Sequence, residues 1–208
     1  MRKGNVVKTV VIASNNAHKV QEIKTALDFE GWEFRTLSEM GIDSDPAEDA
    51  DSFEGNARIK AASAHALSGG CASLADDSGL VVDALQGAPG VYSSRYAGDG
   101  ATDAQNNDKL LAELTDVAPD ARTARFVSTL VFIDEDGTET VAHGTIEGSI
   151  GYELRGKEGF GYDPLFFPCV FEGKKTLAEV TQSEKNAVSH RGNALRELRT
   201  LLEAKRIN

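Results

Sequence analysis

Four short segments of this chain carry residue types whose spacing would allow chemistry on a bound ligand. The first is Ser14–Lys19, with the sequence SNNAHK, which lies between a predicted strand and a predicted helix. Backbone N–H groups at a helix N-terminus attract anions such as phosphate, and the Lys19 ammonium adds a full positive charge. The same amide side chains are also typical of a turn and a helix cap, with Lys19 paired to Glu22 on the surface. The spacing of a Walker loop is absent.

The second segment is the acidic sequence Asp76-Asp77-Ser78-Gly79, which follows a short apolar run. Adjacent carboxylates repel each other unless a cation or a proton compensates, and strand geometry would direct only one of them into a given site. A Mg²⁺ ion prefers one or two carboxylates together with water and phosphate oxygens. Glu48, in the acidic loop 43–49, could supply a second carboxylate. A simple turn at 76–79 and a merely solvated acidic loop are the alternatives.

The third segment, Glu158–Pro164, places an aromatic residue between two glycines in the sequence EGFGYDP. Glycine allows tight turns and a close approach of the backbone to a ligand. Phe160 or Tyr162 offers a flat face on which a nucleobase could stack. An aromatic residue buried in the core beneath a glycine-rich loop is the alternative interpretation.

The fourth segment, Lys185–Arg191, has the sequence KNAVSHR and leads into the last predicted helix. His190 and Arg191 fall in its first turn, where positive charge opposes the helix dipole. That arrangement is offset if the two side chains face an anion or the edge of a base, although both could simply point to water. Together with Lys19 and Lys185, they are candidates for one positive pocket.

The overall charge limits the possible partners. Lys and Arg total 22 and Asp and Glu total 33, so the 208-residue chain has a formal net charge of −11, which argues against broad binding to nucleic acid or anionic lipid. No stretch approaches the roughly 18–20 apolar residues of a membrane span. Two cysteines, Cys71 and Cys169, cannot form a disulfide framework, and the short apolar run after the basic N-terminus does not resemble a signal peptide. We therefore expect a cytoplasmic protein.

Hydrophobic periodicity predicts strands and helices that alternate along a single domain covering residues 1–208. The predicted strands cover residues 8–13, 32–37, 80–82, 125–133 and 139–146, and Asp136-Gly137 marks a hairpin between the last two. Helices are predicted after the first strand and over about 52–67, 102–114 and 189–205. Ser189 would cap the last helix, whose buried face would contain Leu195, Leu198, Leu201 and Leu202. This alternation is typical of an α/β layered protein with a mixed sheet.

Taken together and in order, five blocks of sequence resemble the inosine/xanthosine triphosphate pyrophosphatase family. They are SNNAHKVQEI, FEGNARIKA, LADDSGLVVDALQGAPGVYSSRYAG, EGFGYDPLFF and EKNAVSHRGNAL, and the similarity extends from about Val10 to Leu201. The resemblance implies an elongated mixed β-sheet flanked by helices, with two lobes and a nucleotide cleft between them. It also implies a homodimer that uses Mg²⁺ to hydrolyse ITP, dITP and XTP to the monophosphate and pyrophosphate.

The resemblance further implies a role for individual residues. Asp77 matches the proton acceptor and a metal ligand, and Glu48 matches a second metal-binding acid. The residues matched to substrate binding are Ser14, Asn15, Asn16, Ala17, His18, Lys19, Ser78, Phe160, Gly161, Tyr162, Asp163, Lys185, His190 and Arg191. Asn15 stands where many members of the family have glycine.

Two other functions are compatible with parts of this pattern. A related group of pyrophosphatases acts on modified pyrimidine or methylated nucleotides, but the SHR and GFGYDP blocks favour the inosine-type family. A nucleotide sensor without turnover would have no need of a hydrolytic carboxylate, so Asp77, Glu48 and Lys19 argue against it.

Overall fold

The computed structural model describes residues 7–27 and 29–207, so the N-terminal residues 1–6, which include Arg2 and Lys3, lie outside the described part. Its strands are β1 (Lys8–Ile12), β2 (Trp32–Thr36), β3 (Ala72–Val82), β4 (Thr123–Ile133), β5 (Glu139–Ile150) and β6 (Phe166–Pro168). The α-helices are α1 (Ala17–Ala26), α2 (Phe53–Leu67), α3 (Asp103–Glu113), α4 (Gln182–Val188) and α5 (His190–Ile207).

The described strands form one mixed sheet in the order β2-β1-β3-β4-β5-β6. Strand β1 is parallel to both β2 and β3, whereas β5 and β6 are antiparallel. The hairpin between β4 and β5 closes where Asp134 N–H donates to the Thr138 carbonyl at 2.9 Å. The predicted α/β class with a mixed sheet is therefore confirmed.

The predicted helix starts are confirmed by their capping side chains. Asn16 Oδ1 accepts from the His18 and Lys19 amides at 3.0 and 3.2 Å, and thus begins α1. Ser52 caps α2, and Thr102 forms a capping box at the start of α3. Ser189 Oγ accepts from the Gly192 amide at 3.1 Å and caps α5. These short polar side chains satisfy amides that have no partner within the helix.

Two details of the sequence prediction are wrong. A turn at Asp76–Gly79 does not exist, because β3 runs unbroken from Ala72 to Val82 and is buried on both faces. Leu201 is 36% exposed, whereas Leu195, Leu198 and Leu202 are buried. Since each residue advances the helix by about 100°, Leu201 lies at the margin of the apolar face that the other three form.

The described chain divides into two compact units, and each has its own core. The first unit contains the chain up to Asp77 together with Thr129–His143 and the segment from Ala194. Its core packs β1, β3 and β4 residues against α1 and α5, with examples in Ile12, Ile23 and Leu198. A second cluster in this unit includes three alanines of α2, Ala57, Ala61 and Ala64. Small side chains allow α2 to lie close to the sheet.

The second unit contains Ser78–Ser128 and Gly144–Asn193. Its core combines Leu80 of β3 and Leu110 of α3 with Phe126 of β4 and Tyr162. Within residues 7–27 and 29–207, none of the helices has the length and apolar content that a membrane span requires.

Candidate functional site

In the first unit, Glu48 and Asp77 converge on one lysine. Lys60 Nζ lies 2.9 Å from Glu48 Oε2 and 3.0 Å from Asp77 Oδ1. Asp77 is carried by β3, Lys60 by α2 and Glu48 by the loop before α2. Asn56, one helical turn before Lys60, has its Nδ2 3.5 Å from Asp77 Oδ2 and accepts from the Ala50 amide at 3.0 Å. Asn56 therefore ties the acidic loop to the helix that faces Asp77.

Burial and charge set the protonation of this cluster. Burial raises the pKa of Asp77, and the attraction of Lys60 and Lys19 offsets that effect only in part. Burial also acts to raise the pKa of Glu48, but the ammonium of Lys60 outweighs it, so this pKa lies below its ordinary value. Burial lowers the pKa of Lys60, yet the attraction of Asp77 and Glu48 outweighs it and the pKa is raised. Lys60 therefore stays charged.

The other carboxylate of the pair, Asp76, has a different partner. Lys19 Nζ lies 2.9 Å from Asp76 Oδ2, and the Asp76 side chain is fully buried. Since successive strand side chains point in opposite directions, Asp76 and Asp77 meet separate lysines. Each lysine relieves part of the repulsion that the sequence predicts. The Lys19 ammonium pairs with the buried Asp76 carboxylate. The structure therefore differs from the alternative in which Lys19 pairs with Glu22 on the surface.

The loop before α1 is held by its own polar side chains. Asn15 Nδ2 donates to the Ser44 carbonyl at 3.1 Å, and the Asn16 amide lies 3.2 Å from Ser14 Oγ. Asn15, Asn16, Ala17 and His18 are exposed, so a ligand can reach this helix N-terminus. The capping interpretation is confirmed, and the exposed positive end of α1 remains compatible with an anion.

The donor set of the first unit, two carboxylates, is of the type that binds a hard divalent cation. Glu48 and Asp77 already converge on one cation, and Mg²⁺ uses one or two carboxylates with oxygens from water and phosphate. In residues 7–27 and 29–207, no group of three or more His, Cys, Asp or Glu side chains is arranged to hold a metal. The remaining ligands would therefore come from a phosphorylated ligand and water.

In the second unit, a buried ion pair supports Phe160. Lys185 Nζ lies 2.6 Å from Asp163 Oδ2, and each side chain is 3% exposed. Asp163 Oδ2 also accepts from the Phe160 amide at 3.0 Å. The Lys185 ammonium lies 4.5 Å from the centre of the half-buried Phe160 ring. Tyr162, by contrast, is a core aromatic that donates its hydroxyl to the Ser93 carbonyl at 2.8 Å.

Arg191 and His190 are buried, so the alternative in which they point to water is wrong. Arg191 is 1% exposed, its Nη2 lies 2.8 Å from Ser78 Oγ, and its guanidinium is 6.0 Å from the Phe160 ring centre. The His190 ring stacks on Phe126 with 4.8 Å between centroids. The corner between α4 and α5 is tight, because a Cβ at Gly192 would lie 2.0 Å from the Asn186 carbonyl oxygen.

The predicted basic residues are thus divided between the units. Lys185, His190 and Arg191 belong to the second unit with Phe160, and Lys19 belongs to the first. Sequence reasoning missed Lys60 and Asn56. Their spacing of four residues in the block FEGNARIKA was the available signal, because it places both on one face of α2.

Comparison with known proteins places this chain in a family. The Ham1 family model matches residues 10–201. A protein of Clostridium perfringens named dITP/XTP pyrophosphatase is 50% identical, over 95% of this chain and 98% of that protein. A protein of Exiguobacterium sibiricum with the same name is 46% identical, over 93% and 96%. The solved structure of the Staphylococcus aureus Ham1 protein has a TM-score of 0.85 at 39% identity and covers 95% of this chain and 100% of that one. This chain therefore belongs to the Ham1 family, as its five sequence blocks predict.

Proposed function

We propose that this protein hydrolyses the non-canonical purine nucleotides ITP, dITP and XTP to the monophosphate and pyrophosphate, which removes them from the nucleotide pool. The relatives named dITP/XTP pyrophosphatase align over nearly the whole chain and support this reaction. The observation that carries the proposal is the convergence of Glu48 and Asp77 on Lys60. Two carboxylates can hold a divalent ion, and an ammonium can attract the oxygens of a triphosphate.

In the first unit, the proposed role is to bind the phosphates and activate water. Lys19, Lys60 and the N-terminus of α1 would attract the phosphate oxygens and stabilise the charge that develops as the α–β bond breaks. Mg²⁺ held by Glu48 and Asp77 would supply further neutralisation of the triphosphate and would favour ionisation of water. Asp77 would accept the proton of the water that attacks the α-phosphorus. In the metal-free protein burial raises the pKa of Asp77, whereas a cation bound beside it would lower that pKa.

In the second unit, the proposed role is to recognise the base. The Phe160 ring would stack on the purine, while Asp163, Lys185 and the Gly161–Tyr162 backbone hold that loop. Hypoxanthine and xanthine carry a 6-oxo acceptor, whereas adenine carries a 6-amino donor. A donor aimed at O6, from Arg191, His190 or a backbone amide, would leave adenine with two donors facing each other. Such a mismatch can lower kcat/KM for the wrong nucleotide on the order of 10⁴-fold.

Both roles belong to one chain. The last residue of the first unit, Asp77, and the first of the second, Ser78, are joined by a peptide bond within β3. We propose that residues 1–208 act as one domain and that the protein is a cytoplasmic homodimer that needs neither nucleic acid nor membrane. The oligomeric state is measured by light scattering coupled to size-exclusion chromatography.

The product of ITP hydrolysis tests the proposed reaction. Purified protein with ITP and Mg²⁺ should yield IMP and pyrophosphate, whereas IDP and orthophosphate would indicate attack at the terminal phosphorus and contradict the proposal. ITP and XTP should be hydrolysed far faster than ATP, whose 6-amino group would face a donor. They should also be hydrolysed far faster than GTP, which shares the 6-oxo group and must be excluded through its 2-amino group. Equal rates on all four would refute the selectivity argument. Preference for a modified pyrimidine or methylated nucleotide would assign the chain to the related group. Binding without turnover would identify a sensor.

A further inference from the structure

Helix α3 holds both sides of Gly161, the residue that follows Phe160. Asp103 Oδ2 accepts from the Gly161 amide at 2.6 Å, and Asn107 Nδ2 donates to the Gly161 carbonyl at 2.9 Å. Asp103 and Asn107 are four residues apart and so lie on the same face of the helix. One helix face therefore fixes the two peptide planes on either side of Gly161.

The backbone conformation of Gly161 makes this contact informative. Its φ of +62° lies in the left-handed region, and no atom within 4 Å would contact an added Cβ. Glycine is therefore needed here for its conformation and not for lack of space. A glycine without such contacts would sample several conformations, so hydrogen bonds from another segment are needed to hold one of them. Asp103 and Asn107 supply those hydrogen bonds.

The contacts of Asn107 indicate that stability alone does not explain this residue. Asn107 is 4% exposed, and its Oδ1 has no hydrogen-bond partner among the residues that the structure describes. Burying an acceptor without a partner is unfavourable, so an apolar residue would fill this position at lower cost. The donor of the same amide, however, makes the bond to Gly161. The neighbouring Asn106 is equally buried, but its oxygen accepts from the Ala97 amide and its nitrogen donates to the Ser94 carbonyl.

Gly161 transmits this restraint to Phe160. The peptide whose N–H bonds to Asp103 also contains the Phe160 carbonyl, and that carbonyl accepts from the Asp163 amide at 3.3 Å. The Phe160 amide in turn donates to the Asp163 carboxylate. The backbone of Phe160 is thus held by Asp163 on one side and by α3 on the other. These bonds fix the direction of the Phe160 Cα–Cβ bond, from which the half-buried ring projects.

We propose that Asp103 and Asn107 are positioning residues for base recognition, which set the orientation of Phe160 by clamping Gly161. This inference rests on the proposed function, since it assigns Phe160 to the purine. Neither residue would contact the ligand directly. Loss of the clamp should weaken binding of the base and leave the contacts to the phosphates unchanged.

The test distinguishes binding of the base from binding of the phosphates. Asn107→Leu and Asp103→Ala should raise KM for ITP about tenfold, the size expected when much of a stacking contact is lost. The rate constant kcat should stay within about twofold, because stacking is present before and during the reaction. Inorganic tripolyphosphate, which has no base, should inhibit wild type and variants equally. Asp103→Asn keeps an acceptor for the Gly161 amide and should restore KM.

Matched controls come from the same helix. Asn106→Leu removes a buried asparagine with bonds to a different segment and should lower the melting temperature without the rise in KM. Asp108→Ala removes an exposed acid from α3 and should leave KM unchanged. KM within twofold of wild type for both Asn107→Leu and Asp103→Ala, or an equal rise for Asn106→Leu, would overturn the proposal. If wild type itself released no pyrophosphate from ITP, the proposed function would fail instead.

Discussion

Removal of the Asp163 carboxylate should strongly destabilise the second unit. In Asp163→Ala, the Lys185 ammonium loses a carboxylate at 2.6 Å in a place where both side chains are 3% exposed. The Phe160 amide loses its acceptor at the same time. Breaking a buried ion pair by removing one partner costs about 3–5 kcal/mol. At roughly 2–4 °C per kcal/mol for a domain of this size, the melting temperature should fall by about 6–20 °C.

Thermal unfolding followed by circular dichroism measures this loss. Glu172→Ala is the matched control, because the Lys174–Glu172 pair is 73% and 75% exposed and such surface pairs contribute about 0–1 kcal/mol. Asp163→Asn should have an intermediate effect, since its amide oxygen can still accept from Phe160 and Lys185. If Asp163→Ala and Glu172→Ala lowered the melting temperature equally, the buried pair would not stabilise the fold and the reasoning would be refuted.

Three further predictions concern charge. Asp77→Asn should keep the melting temperature within a few degrees and abolish pyrophosphate release from ITP, and a near-normal rate would exclude Asp77 as the base. Lys60→Met removes a positive charge that lowers the pKa of Asp77. The acidic limb of the kcat/KM–pH profile should therefore move to higher pH. An unchanged limb would contradict the contact between Lys60 and Asp77. The hydrogen bond from Lys24 and that from the Thr36 amide lower the pKa of Glu39 from 4.5 to about 2. Its stabilising contribution is therefore present above pH 4.5 and lost as the pH falls towards 2. Because the pair is exposed, Glu39→Gln should make the fall in melting temperature across that window only slightly shallower.

The local structure of the site could be predicted from sequence because it depends on neighbours in the chain. Asn16 and Ser189 cap the helices that they precede, and this follows from side chains that reach amides two or three residues away. The hairpin turn near Gly137 follows from its dipeptide in the same way. The family resemblance then supplied residue roles for Glu48 and Asp77, which the structure brings to one lysine.

Contacts between distant segments could not be predicted in that way. Lys60 lies 12 residues from Glu48 and 17 from Asp77 along the chain, and its role depends on which face α2 turns towards β3. Asn107 lies 54 residues from Gly161. Residue type alone singles out neither position, because a lysine or an asparagine in a helix is ordinarily exposed. For Lys60, the four-residue spacing from Asn56 indicates a shared helix face but not the partner that this face meets. The unbroken course of β3 through Asp76 and Asp77 was also hidden, since two lysines from other elements neutralise charges that would normally end a strand.

The sharing of one ammonium between Glu48 and Asp77 has a consequence for the resting protein. The lysine acts as an internal counter-ion, so the two acids are assembled, and one of their two negative charges is compensated, before any divalent ion arrives. Folding therefore does not have to wait for a metal, in contrast to small zinc domains that are unfolded without their ion. We therefore expect the chain to stay folded without a divalent ion.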